Sequence, residues 1–74
     1  MNEAMVKERI QQLGLNVRAY RMAQNLSQKR LALMIHTDQG VIARIESGQT
    51  NTSIGRYVQI ADALGVPLST LVDC

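Results

Sequence analysis

Apolar residues in the first third of the chain recur at the spacing of an amphipathic helix. Successive positions lie four, three, four and three residues apart, which places them on one face: Val6, Ile10, Leu13, Val17 and Tyr20. Gly14 lies within this stripe and weakens the helix locally, because glycine is a poor helix former. The pattern predicts a helix from about residue 5 to about residue 24.

Two short helices are predicted next, each preceded by a residue that suits the N-cap. The first break falls at residues 25–27, and the hydroxyl of Ser27 can accept a hydrogen bond from the first turn of a helix over about 28–35. After a turn, Asp38 is the expected N-cap of a helix over about 39–46. The predicted inward residues of the two helices are Leu31, Ala32, Ile35, Ile42 and Ile45.

A polar loop leads to two further predicted helices. Ser53 is the expected N-cap of a helix over about 54–64. Pro67 cannot continue that helix and suits the entry of a last short helix, LSTLV. The predicted inward residues of the fourth helix are Ile54, Tyr57, Ile60, Ala61 and Leu64.

These elements define the expected fold class. No stretch alternates apolar and polar residues with enrichment in β-branched types, so no strand is predicted. Five short helices with short connections predict a compact all-α domain. A chain of 74 residues suffices for one core, so residues 1–74 are expected to form a single domain.

Composition narrows the cellular setting. The longest unbroken apolar run spans residues 31–35, far short of the ~20 residues that a membrane span needs. The N-terminus lacks the apolar segment of a signal peptide. Cys74 is the single cysteine and favours a reducing cytoplasm, although a solvated thiol and an intermolecular disulfide are both open.

Charge and candidate chemistry favour a binding protein over an enzyme. The net charge is +2, and residues 16–60 hold six basic side chains against two acidic ones. A basic middle is compatible with a polyanionic partner and equally with a solvated surface. The single histidine has no identifiable nucleophile or second metal ligand at a suitable spacing. No catalytic activity, metal, cofactor or small-molecule ligand is therefore predicted.

The order of the second and third helices is that of a helix-turn-helix. The segment LSQKRLALMIHTDQGVIARIESG (26–48) resembles the helix-turn-helix of the lambda-repressor/Cro-like family of prokaryotic and phage regulators, often called XRE-type. The following NTSIGRYVQIADALGVPLSTLV (51–72) resembles the family's fourth and fifth helices. The resemblance covers about residues 13–72, and the matching positions are Leu26, Ser27, Gln28, Leu31, Ala32, Ile35, Ile42, Arg44, Ile45, Glu46, Gly48, Ser53, Ile60, Ala61, Leu64, Gly65, Val66 and Leu71.

The resemblance implies a five-helix lambda-repressor-like fold and a function. Such a protein binds double-stranded DNA in a sequence-specific way and regulates transcription, here expected as a repressor. Because one recognition helix covers only a few base pairs, a homodimer on a palindromic operator is expected. The resemblance places the dimer surface on the last helix, at Pro67, Leu68, Leu71 and Val72.

The resemblance also makes the third helix the recognition helix. Its expected base-reading residues are Gln39, Gly40, Val41, Ala43 and Arg44. Arg44 can bind guanine and Gln39 can pair with adenine, while a phosphate contact or a surface ion pair is the alternative for Arg44. Gly40 lets the backbone approach the bases closely, or is a neutral surface glycine. Val41 contacts a thymine methyl group or packs partly into the core.

Contacts with the DNA backbone are expected from three segments around the recognition helix. Lys29, Arg30 and Arg56 lie in first turns of helices, where cations oppose the helix dipole by ~0.3–1 kcal/mol. Nearby phosphates would offset that cost, and ordinary solvated charge is the alternative. The expected phosphate-contacting residues are Gln28, Lys29, Arg30, Asp38, Thr50, Asn51, Thr52 and Arg56.

Other positions have expected structural roles. Arg21 and Glu46 match a family ion pair that ties the first helix to the end of the third. His36 replaces the glycine that is usual at the central turn, and histidine is one of the residues that tolerate positive φ best. Gly48 and Gly65 are expected to close the helices before them in the left-handed conformation.

Leu33 and Met34 lie where the family usually has polar residues. Two explanations are open, namely extra core contact with the first helix or an exposed apolar patch for a partner protein. The second explanation supplies the alternative function, a helical protein-interaction module such as an antitoxin or adaptor with the same fold.

Overall fold

The computed structural model describes residues 3–50 and 52–72 and contains five α-helices. No strand occurs within these two ranges, so the predicted all-α class is confirmed. Each helix begins and ends within two residues of its predicted bounds. The helices are α1 (Glu3–Ala23), α2 (Gln28–Met34), α3 (Gln39–Glu46), α4 (Ile54–Leu64) and α5 (Leu68–Val72).

All three predicted N-caps are confirmed by their hydrogen bonds. Ser27 Oγ accepts from Arg30 N at 2.9 Å, and Ser53 Oγ accepts from Arg56 N at 3.2 Å. Asp38 Oδ1 accepts from Val41 N at 3.0 Å. These side chains replace water at N–H groups that have no partner within the helix, and they fix where α2, α3 and α4 begin.

Left-handed residues close the turns between the helices. Gly48 and Gly65 have φ of 74° and 73°, as expected for glycines that end a helix. His36 has φ of 59°, which confirms that the central turn keeps the conformation usually given to glycine. Asn25, in the predicted break after α1, adopts φ of 58°, a left-handed conformation that the sequence pattern did not predict.

The core lies where the five helices converge. Its fully buried side chains include Leu31, Ile42, Ile45, Ile60 and Leu71. The predicted inward residues of α2 and α3 are all buried, which confirms those two faces. α2 and α3 pack most extensively on each other, while α5 packs on α1 and α4.

The predicted inward stripe of α1 is partly wrong. Val6 is exposed because it lies in the part of α1 that the other helices leave uncovered, and Tyr20 is exposed beside the buried face. That face is formed by Gly14, Val17 and Arg21, all of which are buried.

Gly14 permits a close approach between α1 and α3. A Cβ at this position would overlap the carbonyl oxygen of Ile45 and lie 3.0 Å from that of Glu46. The backbone of α1 therefore rests directly on the last turn of α3. A glycine that the sequence marks as a local weakness is the contact that brings α1 against α3.

Other predicted core and surface assignments need correction. Ile54 was predicted to face inward, but its side chain is 65% exposed at the first position of α4. Leu33 and Met34 are also exposed, so the explanation that they add core contact is wrong. Leu71 is fully buried, and its backbone oxygen accepts a hydrogen bond from Asn16 Nδ2 at 2.8 Å. It holds α5 against α1, so the prediction that its side chain forms a dimer surface is wrong.

Candidate nucleic-acid interface

The two flanks of α3 have opposite characters. Ile42, Ile45 and Glu46 are buried against the rest of the domain. Gln39 and Arg44 are exposed on the other flank. The other predicted base-reading residues are half-buried, namely Gly40, Val41 and Ala43. Val41 also packs against the edge of the core. The helix thus presents a polar edge while its apolar edge anchors it.

Hydrogen bonds connect that polar edge to α2. Gln39 Nε2 donates to Gln28 Oε1 at 2.8 Å. Gln28 Nε2 in turn donates to Glu46 Oε1 at 3.2 Å, so the two glutamines and the glutamate form a continuous amide relay. The relay fixes the direction of the Gln39 amide, and it places Gln28 beside the first residue of α3.

The relay ends on the ion pair between α1 and α3, which confirms the expected structural pair. Arg21 Nε lies 2.6 Å from Glu46 Oε2, and Arg21 Nη2 donates to Glu46 Oε1 at 2.9 Å. Arg21 Nη1 also donates to the carbonyl oxygen of Leu26 at 2.6 Å. Both side chains are buried, and this bidentate geometry fixes the orientation of α3 relative to α1.

The same pair perturbs the ionisation of Arg21. The hydrogen bonds with Glu46 raise the pKa of the guanidinium above its usual value, and burial opposes that rise less strongly. The arginine therefore remains charged, and the buried carboxylate keeps its counter-ion. No buried side-chain nitrogen or oxygen within the described residues lacks a hydrogen-bond partner.

The guanidinium of Arg44, a residue of the last turn of α3, lies beside Gly40 in the first turn. A Cβ added at Gly40 would lie 3.3 Å from Arg44 Nη1 and 3.2 Å from Asp38 Oδ1. The guanidinium of Arg44 therefore folds back along the helix toward its N-terminal turn. This placement brings Gln28, Gln39, Gly40 and Arg44 into one contiguous polar surface.

The predicted phosphate-contacting residues surround this surface with varied exposure. Lys29 and Arg30 are exposed on the first turn of α2, and Arg56 is half-buried on the first turn of α4. Thr50 and Thr52 are half-buried in the α3–α4 loop, while Asn51 and Cys74 lie outside the described residues.

Asp38 has a capping role that restricts what it can offer to an anion. Its carboxylate accepts from the start of α3, and an ionised carboxylate cannot donate a hydrogen bond. Any contact between Asp38 and a phosphate must therefore come from its backbone N–H group.

Tyr57 secures the loop that follows α3. Burial raises the pKa of its phenol, and a hydrogen bond with the backbone of Thr52 lowers that pKa to a smaller extent. The phenol therefore joins α4 to the loop residue Thr52. The sequence predicted only that Tyr57 faces inward, because periodicity carries no information about the partner of its hydroxyl group.

Two further features of the described residues bear on chemistry. No group of three His, Cys, Asp or Glu side chains stands close enough to hold a metal ion within residues 3–50 and 52–72. No helix in the same ranges is long and apolar enough to cross a membrane.

Comparisons with known proteins agree with this geometry. Residues 17–71 match a protein family described as Helix-turn-helix. The restriction-modification controller protein C.AhdI from Aeromonas hydrophila is similar in structure, with a TM-score of 0.81 and 31% sequence identity. That match covers 84% of this chain and 94% of the controller protein.

A second solved structure is also similar. It is a hypothetical transcription factor, NHTF, from Neisseria, with a TM-score of 0.82 and 25% identity over 89% of this chain and 77% of that one. No curated protein sequence matches the chain. The family match spans most of the chain and includes both helices of the motif. The chain therefore belongs to the lambda-repressor/Cro-like (XRE-type) helix-turn-helix family of DNA-binding transcriptional regulators.

Proposed function

We propose that the protein is a repressor that binds a palindromic operator in double-stranded DNA as a homodimer, with α3 in the major groove. The observation that carries the proposal is the exposed polar edge of α3. Gln39 and Arg44 face outward from a helix whose opposite edge is locked into the core. Because its apolar edge packs in the core, such a helix can place its polar edge in a DNA groove without altering that packing.

The proposed base contacts follow from the donors and acceptors that remain free. One hydrogen of the Gln39 amide is used by Gln28, which leaves the second hydrogen and the oxygen for the N7 and N6 of an adenine. Arg44 offers two parallel donors to guanine O6 and N7. Val41 and Ala43 complete the reading surface with small or apolar contacts, while Gly40, which has no side chain, leaves space beside them.

The proposed backbone contacts come mainly from cations. Lys29, Arg30 and Arg56 offer charge to phosphates beside α2 and α4, while Gln28 and the α3–α4 loop residues Thr50, Asn51 and Thr52 offer neutral hydrogen bonds. Replacing Lys29, Arg30 and Arg56 with Gln is expected to reduce the slope of log affinity against log salt by up to about 2.7, since each neutralised phosphate contributes about 0.9. A matched triple variant in α1, with Lys7, Arg9 and Arg18 changed to Gln, should leave the slope unchanged.

A dimer is proposed because eight helical residues reach only a few base pairs. Two copies related by a two-fold axis would present their α3 helices ~34 Å apart, one turn of the duplex. Pro67 and Val72 are exposed on or beside α5, and Leu68 is half-buried there, so these three form the proposed dimer surface. The likeness to a restriction-modification controller protein supports gene control as the task, in a single domain spanning 1–74.

The decisive experiment is selection of bound fragments from random duplex DNA, carried out with the wild-type protein and with Arg44→Ala. The wild type should select a palindrome, and Arg44→Ala should lose preference at one position in each half-site. Arg18→Ala removes an exposed arginine from α1 and serves as the charge-matched control. Recovery of no motif by the wild type at moderate salt would contradict the proposal.

A second candidate function is protein interaction, and one observation favours it. Leu33 and Met34 are 58% and 41% exposed on α2. Beside them lies a groove of about 370 Å³ between α2 and α4, lined by Met34, Ile35, His36, Gln59, Asp62 and Ala63. This candidate predicts that no palindrome is selected and that the variant Leu33→Lys with Met34→Lys abolishes binding to a partner protein.

A further inference from the structure

We propose that Gly40 determines base specificity by acting through Arg44. In this proposal the absence of a side chain at position 40 leaves room for the guanidinium of Arg44 to lie against the first turn of α3. That position of the guanidinium decides which base pair the arginine reads. The proposal rests on the proposed function, because it takes Arg44 as a base-reading residue.

The geometry begins with the spacing of the two residues. Arg44 follows Gly40 by four positions, so both lie on the same face of α3, one turn apart. Helical side chains lean toward the N-terminus, which directs Arg44 over residue 40. The guanidinium completes that approach, because its Nη1 atom would lie 3.3 Å from a Cβ at position 40.

Any side chain at position 40 would compete for this space. Ordinary van der Waals contact with a Cβ begins at 3.4 Å, and both Arg44 Nη1 and Asp38 Oδ1 lie inside that limit. The flexible guanidinium moves away, and the Asp38 oxygen must also shift by a few tenths of an ångström within its hydrogen bond to Val41 N. Alanine requires a displacement of a few tenths of an ångström, while a longer side chain fills the position itself.

The displacement changes what Arg44 can read. Four helical residues span about 6 Å along the axis, whereas successive base pairs are separated by about 3.4 Å. Because the first distance exceeds the second, the position of the guanidinium along α3 affects which base pair Arg44 reaches. The guanidinium also stands next to Gln39, so both reading groups converge on the end of α3 that enters the groove.

Gly55 supplies a matched control within the same chain. It occupies the second position of α4 after the N-cap Ser53, just as Gly40 follows the N-cap Asp38 in α3. A Cβ at Gly55 would meet only Ser53 Oγ, at 3.8 Å, which is ordinary contact. Gly55→Ala therefore measures the general effect of alanine at this helical position.

The experiment combines Gly40→Ala and Gly40→Leu with the wild type and with Arg44→Ala. Competition binding compares the selected operator with a duplex in which the Arg44-dependent guanine is replaced. The wild type should prefer the guanine by about tenfold, within the range for a bidentate contact. Gly40→Ala should reduce that preference about threefold, and Gly40→Leu should reduce it nearly to the level of Arg44→Ala.

A double-mutant cycle separates this mechanism from direct approach of the backbone to DNA. In the Arg44→Ala background, Gly40→Leu should change affinity less than twofold, because no guanidinium remains to be displaced. An equal loss of affinity in both backgrounds would overturn the proposal in favour of direct approach. Gly55→Ala should leave the base preference unchanged, and thermal melting should show that all variants fold.

Failure of the inference about Gly40 and failure of the proposed function would give different results. If Gly40→Leu keeps the full guanine preference while Arg44→Ala loses it, the inference about Gly40 is wrong and the proposed function survives. If the wild type selects no motif, or if Arg44→Ala changes nothing, base reading by Arg44 is itself wrong.

Discussion

The two halves of α1 belong to one continuous helix, yet the rest of the domain covers only one of them. Residues 3–9 are all exposed, including Val6 at 40%. From residue 14 onward the helix buries Gly14, Val17 and Arg21 against α3 and its neighbours. The spacing of apolar residues therefore shows which face of a helix is apolar, whereas burial of that face depends on which other helices contact it.

Among substitutions in the covered half of α1, Arg21→Ala should lower the free energy of unfolding most. It leaves the buried carboxylate of Glu46 without its cation, and breaking one partner of a buried pair costs about 3–5 kcal/mol. Urea denaturation followed by circular dichroism should show loss of most of the folding free energy, which is roughly 5 kcal/mol for so small a domain. Arg18→Ala, an exposed neighbour, should stay within about 0.5 kcal/mol of the wild type. Equal losses of folding free energy for Arg21→Ala and Arg18→Ala would contradict the assignment of Arg21 to a buried ion pair.

Gly14→Ala should cause the second-largest loss in the free energy of unfolding. The added Cβ overlaps the carbonyl oxygen of Ile45, and because that atom belongs to the backbone, α1 and α3 must move apart. Overpacking of this kind costs about 1–3 kcal/mol, and a shift in melting temperature of roughly 4–8 °C per kcal/mol makes it measurable. Gly55→Ala is the control, since its Cβ meets nothing closer than 3.8 Å and helix propensity should make it neutral or stabilising.

Val17→Ala should follow with a loss of about 1–2 kcal/mol. Its side chain is fully buried, so the substitution removes two methyl groups and leaves a cavity. The transition in urea should move to lower concentration with an unchanged slope, because the fold itself is retained. A neutral result would mean that the core around α1 relaxes to fill the space.

Val6→Ala should have the smallest effect, within about 0.5 kcal/mol of the wild type. Its side chain is 40% exposed in the uncovered half, where alanine also has the higher helix propensity. The same denaturation measurement applies. A loss as large as that of Val17→Ala would show that residues 3–9 are covered in solution, and the contrast between the halves would disappear.

Much of the fold was predictable because its signals are local. Ser27, Asp38 and Ser53 each cap a helix with their own side chain, and a cap depends on residues only three positions away. The inward faces of α2 and α3 were also predicted, because both helices are short and covered along one side. Ile54 was misplaced because it starts α4, beyond the part of the helix that the core reaches.

The remaining features depend on contacts that periodicity does not encode. Gly14 was treated as a weakness because only the position of α3 shows that a side chain would collide there. The sequence allows two explanations for Leu33 and Met34, and the packing of α2, which leaves both side chains exposed, rules out core contact. Gln28 and Gln39 were singled out separately by the resemblance, while the hydrogen bond that joins them appears only in three dimensions.

The amide relay also has a thermodynamic consequence. A free glutamine loses considerable rotamer entropy when it is immobilised at an interface. Gln39 is already held by Gln28, and Gln28 by Glu46, so that loss occurs while the chain folds. Any association made through the Gln39 amide should therefore carry a smaller entropic penalty than one made through an unrestrained side chain. Calorimetry on Gln28→Ala would register the difference as a less favourable entropy of binding.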